Sequence, residues 1–295
     1  MLDLDICIVG AGSAGLTLAL LLADSPLKIA VLDKEPAPEL VAPSLKRVSA
    51  LNQASKRLLS QLGVWQDLTS AAPYTDMKVW EADSFGRIEF SALEQGCDEL
   101  GWIVDNEQLR AVLYSKLQSK TNVSCLFQST IQSISNSEQQ NLLTLQDQSP
   151  ILCKLLVAAD GANSFVRQQL QMPIAFWDYQ HQALVAQIRT AEPHQSCARQ
   201  VFLPTGPLAL LPLADPHLVS IVWSTSPEQA AELQAMPADQ FNKALTAASN
   251  SVLGLLQLES PLNSYPLKMR YASEWVLNKT VLVADAAHTI HPLAG

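Results

Sequence analysis

The chain is poor in charge and poorest in base. Charged residues make up 16% of its 295 positions, with 19 lysines and arginines against 28 acids and a net charge of −9 at pH 7. No basic run interrupts this, so a nucleic-acid backbone is excluded as a partner: binding one requires neutralising its phosphates. Cysteine is also sparse. The five, at Cys7, Cys97, Cys125, Cys153 and Cys197, form no CxxC pair and have no histidines at zinc-ligand spacing. That excludes a redox dithiol and a metal site, and it suits a reduced, cytoplasmic protein. A membrane span is missing too. Residues 6–23 carry no charge, but Asp3 and Asp5 precede them and three glycines interrupt them, unlike a secretory leader or an anchor. Internal repeats, low-complexity tracts and flexible linkers are absent. What remains, 48% apolar, is the composition of a globular enzyme of one large or two modest domains.

Hydrophobic patterning predicts a βαβ opening. Residues 5–9 (DICIV) read as a buried strand, 10–15 as a turn, 16–23 as a helix and 28–32 (KIAVL) as a second strand. Helices are predicted over 51–62, stopped by Gly63, and over 107–117. Residues 77–80 and 87–90 flank a turn holding Gly86, the pattern of a hairpin inserted into the nucleotide-binding part. The run 155–159 (LLVAA) has the texture of a buried parallel strand and stops at Asp160-Gly161. Several strand-like runs between 181 and 224, separated by proline and glycine turns, then predict an antiparallel meander and a second domain. Residues 227–248 read as helix, 265–271 as extended chain, and 280–284 (TVLVA) as a return to the first domain.

Three constellations carry chemistry. Gly10-Ala11-Gly12-Ser13-Ala14-Gly15 lies between a strand and a helix, and Asp33 ends the next strand. Gly10 permits the tight turn, Gly12 lets a pyrophosphate approach the backbone, and Gly15 lets helix and strand pack closely. The helix start offers N–H donors to phosphates, and Asp33 can accept from a ribose, so a dinucleotide site is expected, with FAD and NAD both open. The second is Asp160-Gly161-Ala162-Asn163-Ser164 followed by Arg167, which by itself reads as a strand-to-helix turn capped by Asn163 or Ser164. The third, residues 281–295, delivers Asp285 to a loop with His288, His291 and Pro292; no third ligand stands near the histidines, so no metal is predicted.

In this order and at these distances the three constellations resemble the signature of the class A flavin monooxygenases. The strings LKRVSALNQAS, FWDYQHQALVAQIRTAEPH, DPHLVSIVWS and DAAHTIHPLAG are similar to the VisC-type 2-polyprenylphenol 6-hydroxylases of ubiquinone biosynthesis, and the resemblance spans the chain. It implies an α/β fold like that of p-hydroxybenzoate hydroxylase: a Rossmann-like FAD-binding domain (1–75, 101–176 and 277–295) with an inserted antiparallel-sheet substrate domain (76–100 and 177–276). It implies FAD held by Gly10, Gly12, Ala14, Gly15, Asp33, Arg47, Arg110, Asp160, Gly161, Arg167, Asp285 and Pro292. NAD(P)H is then a transient co-substrate, since only one GxGxxG occurs. The implied reaction reduces FAD, captures O2 as a C4a-hydroperoxide and transfers one oxygen to the ring of a polyprenylphenol. No residue is assigned as catalytic. The aromatics Phe176, Trp177, Tyr179 and Trp223 are expected over the flavin's reactive face. For partners the resemblance implies self-association and a place in a multiprotein assembly at a membrane surface. One departure stands out: Ala284 occupies a position where the family has glycine, and its methyl group is expected either to crowd the flavin or to shift the backbone slightly.

Rival readings differ in identifiable ways. A disulfide reductase would need a cysteine pair after the first βαβ unit, and a flavin halogenase a WxWxIP element; neither occurs. An FAD-dependent isoprenoid reductase of the same superfamily shares the nucleotide motifs. Because the family continues past the loop at Gly295 with a further helix, a truncated chain that serves only as a binding or scaffold fragment is a third reading.

Overall fold

The structure, a computed structural model, describes residues 1–40 and 44–290. Strand β1 (Leu2–Val9) leads into helix α1 (Ser13–Leu22) and returns as β2 (Ile29–Leu32). There follow β3 (Val48–Leu51), α2 (Gln53–Gln61), β4 (Ala72–Tyr74), the hairpin β5 (Asp76–Glu81) and β6 (Arg87–Ser91), then β7 (Gly101–Asp105) and α3 (Asn106–Leu117). Next come β8 (Val123–Leu126), the hairpin β9 (Ile131–Asn136) and β10 (Asn141–Leu145), β11 (Ile151–Ala158) and α4 (Phe165–Gln169). The meander comprises the 17-residue β12 (Ile174–Thr190), β13 (Cys197–Leu203), β14 (Gly206–Pro212) and β15 (Leu218–Thr225). It continues through α5 (Pro227–Ala235), α6 (Ala238–Ala248), β16 (Leu256–Leu258) and β17 (Asn263–Ala272), and the chain ends with β18 (Val276–Leu277), β19 (Thr280–Leu282) and β20 (His288–Thr289).

Among the described residues these strands form three sheets. The first runs β18-β19-β11-β1-β2-β8, with β10 attached to β11 and β9 to β10; its centre is parallel and buried on both faces. Such burial explains the unbroken apolar runs IAVL and LVA, since neither side of these strands meets water. One face packs on α1 and α3 through Leu16, Leu20, Leu109 and Leu113; the other packs through Cys7, Leu143 and Leu156 towards β10 and α4. The second sheet runs β20-β17-β12-β15-β14-β13-β5-β6, with β16 attached to β12. Its outer face lies under α5 and α6 (Leu184, Trp223, Phe241), and its inner face (Val185, Ala209, Leu211, Val222) meets Val48 and Ile103 of the small β3-β7-β4 sheet. The expected mixed architecture is thus present.

Local chemistry sets the boundaries. Leu51 ends a strand, and the neighbouring Asn52 caps α2 by accepting from Ser55 N at 2.9 Å; Gly63, with φ +67°, follows its end. The helix expected over 227–248 is two helices. Met236 precedes a proline and takes ψ 142°, so α5 stops and α6 restarts after Pro237. The strand that delivers residue 283 to the site is anchored by a buried amide network: Asn136 Nδ2 and Thr280 Oγ1 donate to Asn141 Oδ1 at 2.6 and 3.0 Å, and Asn141 Nδ2 donates to Lys279 O at 2.9 Å.

A buried histidine gives the inserted sheet a pH dependence. His194 Nε2 faces the carbonyls of Leu213 and Asp215, both at 3.0 Å, while Nδ1 accepts from Ser196 N at 3.0 Å. The neutral ring satisfies all three contacts; a second ring proton would oppose the Ser196 amide. Burial holds the imidazole below its ordinary 6.5. The unfolded chain therefore takes up the proton first, and stability falls as pH drops through about 6.5. Urea unfolding at pH 7.5 and 5.5 is expected to show this loss in the native protein and a smaller one in His194→Gln.

Candidate functional site

Three loops leave the carboxyl ends of neighbouring parallel strands and meet. Val9 of β1 lies opposite Ala158 of β11, and Ala158 lies opposite Leu282 of β19. The glycine turn, the Asp160 loop and the Asp285 loop therefore begin side by side. Gly10, at φ +107°, is closed in on one side: a Cβ there would stand 2.3 Å from Ala159 O, in the second loop. A Cβ on Gly15 would stand 2.0 Å from Gly10 O, so α1 sits directly on the turn. Gly12 is the opposite case. No atom lies within 4 Å of its notional Cβ, and it caps α1 without any side-chain hydrogen bond, leaving first-turn amides open to a ligand. Ala14 is exposed on that same turn.

Charged groups hold the turn in shape. Asp33 Oδ2 accepts from Ala11 N at 2.7 Å and its Oδ1 from Glu35 N at 2.9 Å, while Arg110 Nε donates to Ala11 O at 2.7 Å. The Ala11 peptide is thus gripped on both sides, with Arg110 Nη2 3.9 Å from Asp33 Oδ2. In the second loop Asp160 Oδ2 accepts from Val166 N at 3.2 Å, and its buried Oδ1 has no partner. Gly161 turns the chain at φ +83°, and Ser164 caps α4 through Arg167 N at 3.0 Å. A cleft of about 630 Å³ opens between these loops, lined by Gly10, Gly12, Asp33, Arg110, Asp160 and Gly161. It also reaches Lys34, Glu35, Asn163, Gln168 and the segment 129–131. Apart from Asn163, which belongs to the second motif, these residues escaped the sequence reading; Lys34 and Glu35 could have been found as the continuation of Asp33, whereas 129–131 carries no motif.

Other expected residues sit elsewhere. Arg167 does not line the cleft. It is buried and joins two motifs, donating to Ala162 O at 2.8 Å and to Ala286 O at 2.7 Å. Burial lowers its pKa, and Asp160 partly offsets that. Asp285 is exposed at the head of the third loop, outside the cleft lining, within a single 3-10 turn over Ala284–Ala286. Arg47 is exposed, with its guanidinium 5.4 Å above the ring of Tyr265 on the antiparallel sheet. Its segment is tied to the start of α3: Asp105, fully buried, accepts from Leu45 N and Gln108 N, and Asn106 N donates to Arg47 O. Pro292 and His291 lie outside the described residues. Of the aromatics, Trp223 is turned away from the inner face: it packs on Phe241 beneath α5 and α6, at 6.3 Å between centroids. Phe176 and Trp177 are 53% and 64% exposed, and Tyr179 joins the inner-face cluster.

Ala284 bears on the second of its two expectations. It is exposed and its φ is +51°, so the missing glycine costs a left-handed backbone. Ala284→Gly is expected to stabilise the protein by about 1 kcal/mol, a rise in Tm of about 2 °C. A thermal melt of the two proteins side by side checks this.

These residues fit FAD. The unpartnered Asp160 Oδ1 needs a donor such as a cofactor hydroxyl, the open flank at Gly12 accepts a phosphate, and the uncapped helix start supplies charge of the right sign. Fold and loops together define a flavoprotein of the FAD-dependent aromatic monooxygenase class. The chain belongs to the FAD binding domain family, whose model matches residues 3–295. It is 35% identical over 298 residues to the 3-demethoxyubiquinol 3-hydroxylase of Escherichia coli (strain K12), covering 99% of this chain and 75% of that protein. Against the mitochondrial ubiquinone biosynthesis monooxygenase COQ6 of Drosophila melanogaster it is 35% identical over 338 residues, covering 99% of this chain and 70% of that one. Among solved structures, p-nitrophenol 4-monooxygenase PnpA from Pseudomonas putida matches with a TM-score of 0.79 at 19% identity, over 99% of this chain and 75% of that chain. PqsL from Pseudomonas aeruginosa matches at 0.81 and 20%, over 99% and 80%. At such identities these two show the shared fold. Among the described residues no helix is long and apolar enough to cross a membrane.

Proposed function

We propose that the chain hydroxylates the aromatic ring of a polyprenylphenol in ubiquinone biosynthesis, using NAD(P)H and O2. The observation that carries this reading is the 35% identity, across 99% of the chain, to two enzymes named for ubiquinone hydroxylation and biosynthesis. FAD, when bound and reduced, supplies the oxygen chemistry, and the residues' task is to bind, orient and exclude water. Gly10, Gly12, Ala14 and Gly15 with the start of α1 take the pyrophosphate; Asp33, positioned by Ala11 N, takes a ribose hydroxyl; Asp160 and Gly161 line the same cleft, with Asp160 Oδ1 accepting from the cofactor. Arg110 fixes the turn and Arg167 fixes the two downstream loops to each other; Asp285 would hold the ribityl chain, and Arg47, seated over Tyr265, would lie in the loop beside the flavin. Pro292 ends the loop that Asp285 begins.

The assignment of 1–75, 101–176 and 277–295 to the cofactor domain, and of 76–100 and 177–276 to the substrate domain, is supported by the second sheet's recruitment of β5, β6 and β12 to β17, although β20 from the last segment also joins that sheet. The apolar inner face of that sheet suits a phenol with an apolar tail. Five free cysteines accord with a place in the cytoplasm.

The test starts with colour and ends with product. The purified protein is expected to bind FAD with flavin absorbance, to oxidise NAD(P)H faster when a short-chain 2-prenylphenol is added, and to form the catechol only in the presence of O2. A reduced prenyl chain formed without O2 would instead identify an isoprenoid reductase. A protein that FAD cannot reconstitute would identify a binding fragment.

A further inference from the structure

The free edge of the antiparallel sheet carries a pattern that fits itself. β6 is the terminal strand, and no strand among the described residues pairs beyond it. Apolar side chains crowd this edge in water: Phe85 at the hairpin tip is 102% exposed, Leu93 88%, Ile88 58% and Phe90 44%. An open edge that also exposes apolar side chains is what single-chain sheets tend to avoid, because its open amides template another strand.

The phase of the hydrogen bonds shows which amides are open. Ala92 N donates to Thr75 O and Glu81 N to Gly86 O, and within the hairpin Val79 lies opposite Ile88 and Lys78 opposite Glu89. In an antiparallel ladder the bonded residues alternate, so the even-numbered residues of β6 spend their amides on β5. Arg87, Glu89 and Ser91 therefore turn theirs to the open edge. Two antiparallel copies of β6 centred on Ile88 would set Arg87 of one copy opposite Glu89 of the other. Both residues face outward, so they exchange backbone bonds twice over, and their charges attract. Ile88 then meets its own copy at the close, non-bonded position, Cα atoms roughly 4.5 Å apart. Centring on Glu89 instead opposes two carboxylates, which is unfavourable. Among the described residues Glu89 has one ion pair, to Lys78 at 3.9 Å and half exposed, which is weak enough to exchange.

We propose that β6 is a homodimerisation edge, two copies of this chain joining antiparallel about Ile88 into one continuous sheet. The occupant is a second copy rather than another protein because opposite charges and matching amides recur only when the strand meets itself in that register. Two five-residue strands with the flanking phenylalanines make a small interface, below about 1,200 Å², so the dimer forms reversibly.

Sedimentation velocity of the FAD-reconstituted protein between about 1 and 100 µM is expected to show a monomer–dimer equilibrium in the micromolar range. Arg87→Glu and Glu89→Arg are each expected to weaken the dimer roughly tenfold, and the two combined in one chain to restore it. With oxidised glutathione, Ile88→Cys is expected to form a disulfide-linked dimer, two protein thiols joining as one glutathione disulfide is reduced to two thiols. The native protein, with its own cysteines, is the control. Several results would overturn the proposal: a monomer throughout, a dimer indifferent to both charge reversals, or cross-linking that favours Glu89→Cys over Ile88→Cys. So would a monomer that floats with neutral phosphatidylcholine vesicles and never cross-links through Ile88→Cys, which would make the edge a lipid-facing surface.

Discussion

Gly10→Ala is expected to yield a colourless and poorly stable protein, whereas Gly12→Ala is expected to yield a colourless but sound one. At Gly10 an added Cβ meets backbone atoms of Ala159 and Asp160 at 2.3 to 2.8 Å, at a φ of +107° that only glycine tolerates well. Backbone cannot step aside as a side chain does, so the strained φ and the overpacking together cost about 3 kcal/mol. The damage falls between two loops, so it removes the site as well as the stability. At Gly12 nothing stands within 4 Å, and the loss of stability is about 0.5 kcal/mol, the usual cost of alanine at a helix cap. If the pyrophosphate lies there as proposed, the methyl takes its space, and FAD affinity is expected to fall on the order of a hundredfold, close to 3 kcal/mol. Urea unfolding alongside FAD titration separates the two cases. Equal tolerance of both substitutions for FAD would remove the glycine turn from the cofactor site.

Arg167→Met is expected to be the most damaging change outside the glycine turn. The native guanidinium is buried and satisfies two carbonyls, Ala162 O and Ala286 O, which no other described donor reaches by a recorded bond. Methionine keeps most of the volume but leaves both acceptors bare and takes a positive charge from beside Asp160. One buried and one partly buried carbonyl left unsatisfied, with a less compensated carboxylate, cost about 3 kcal/mol. Because the two bonds tie the Asp160 loop to the Asp285 loop, FAD retention is expected to fall in step with stability; Arg167→Lys, with one donor group instead of a fork, recovers only part. A melt with and without excess FAD reads both effects.

How much of this was legible in sequence depended on distance along the chain. The glycine turn, α1 and Asp33 lie within the first 33 residues, and each fixes its neighbours' backbone, so local spacing sufficed. A cap of α4 at Asn163 or Ser164 was legible for the same reason, and the structure selects Ser164. The partner of Arg167 lies 119 residues away, and no local pattern distinguishes a side chain that touches a cofactor from one that joins two loops. The facing of Trp223 was hidden because β15 is buried on both faces, which erases the alternation that would tell inside from outside. The segment holding β8, β9 and β10 was silent, its strands of four to six residues being short and partly polar. Ala284 was legible as a departure, while the form of its cost required the backbone angle.

The loop that bears Asp285 has its two ends sewn into different layers. Before it, β19 is hydrogen-bonded into the parallel sheet, with Val283 N donating to Ala158 O at 2.9 Å; after it, β20 pairs with β17 of the antiparallel sheet, and the His288 ring stacks on Trp275 at 5.2 Å. Only a handful of residues span the seam, too few to absorb sliding of one layer over the other. Any displacement of the antiparallel layer would therefore be passed through this short seam to the loop that bears Asp285.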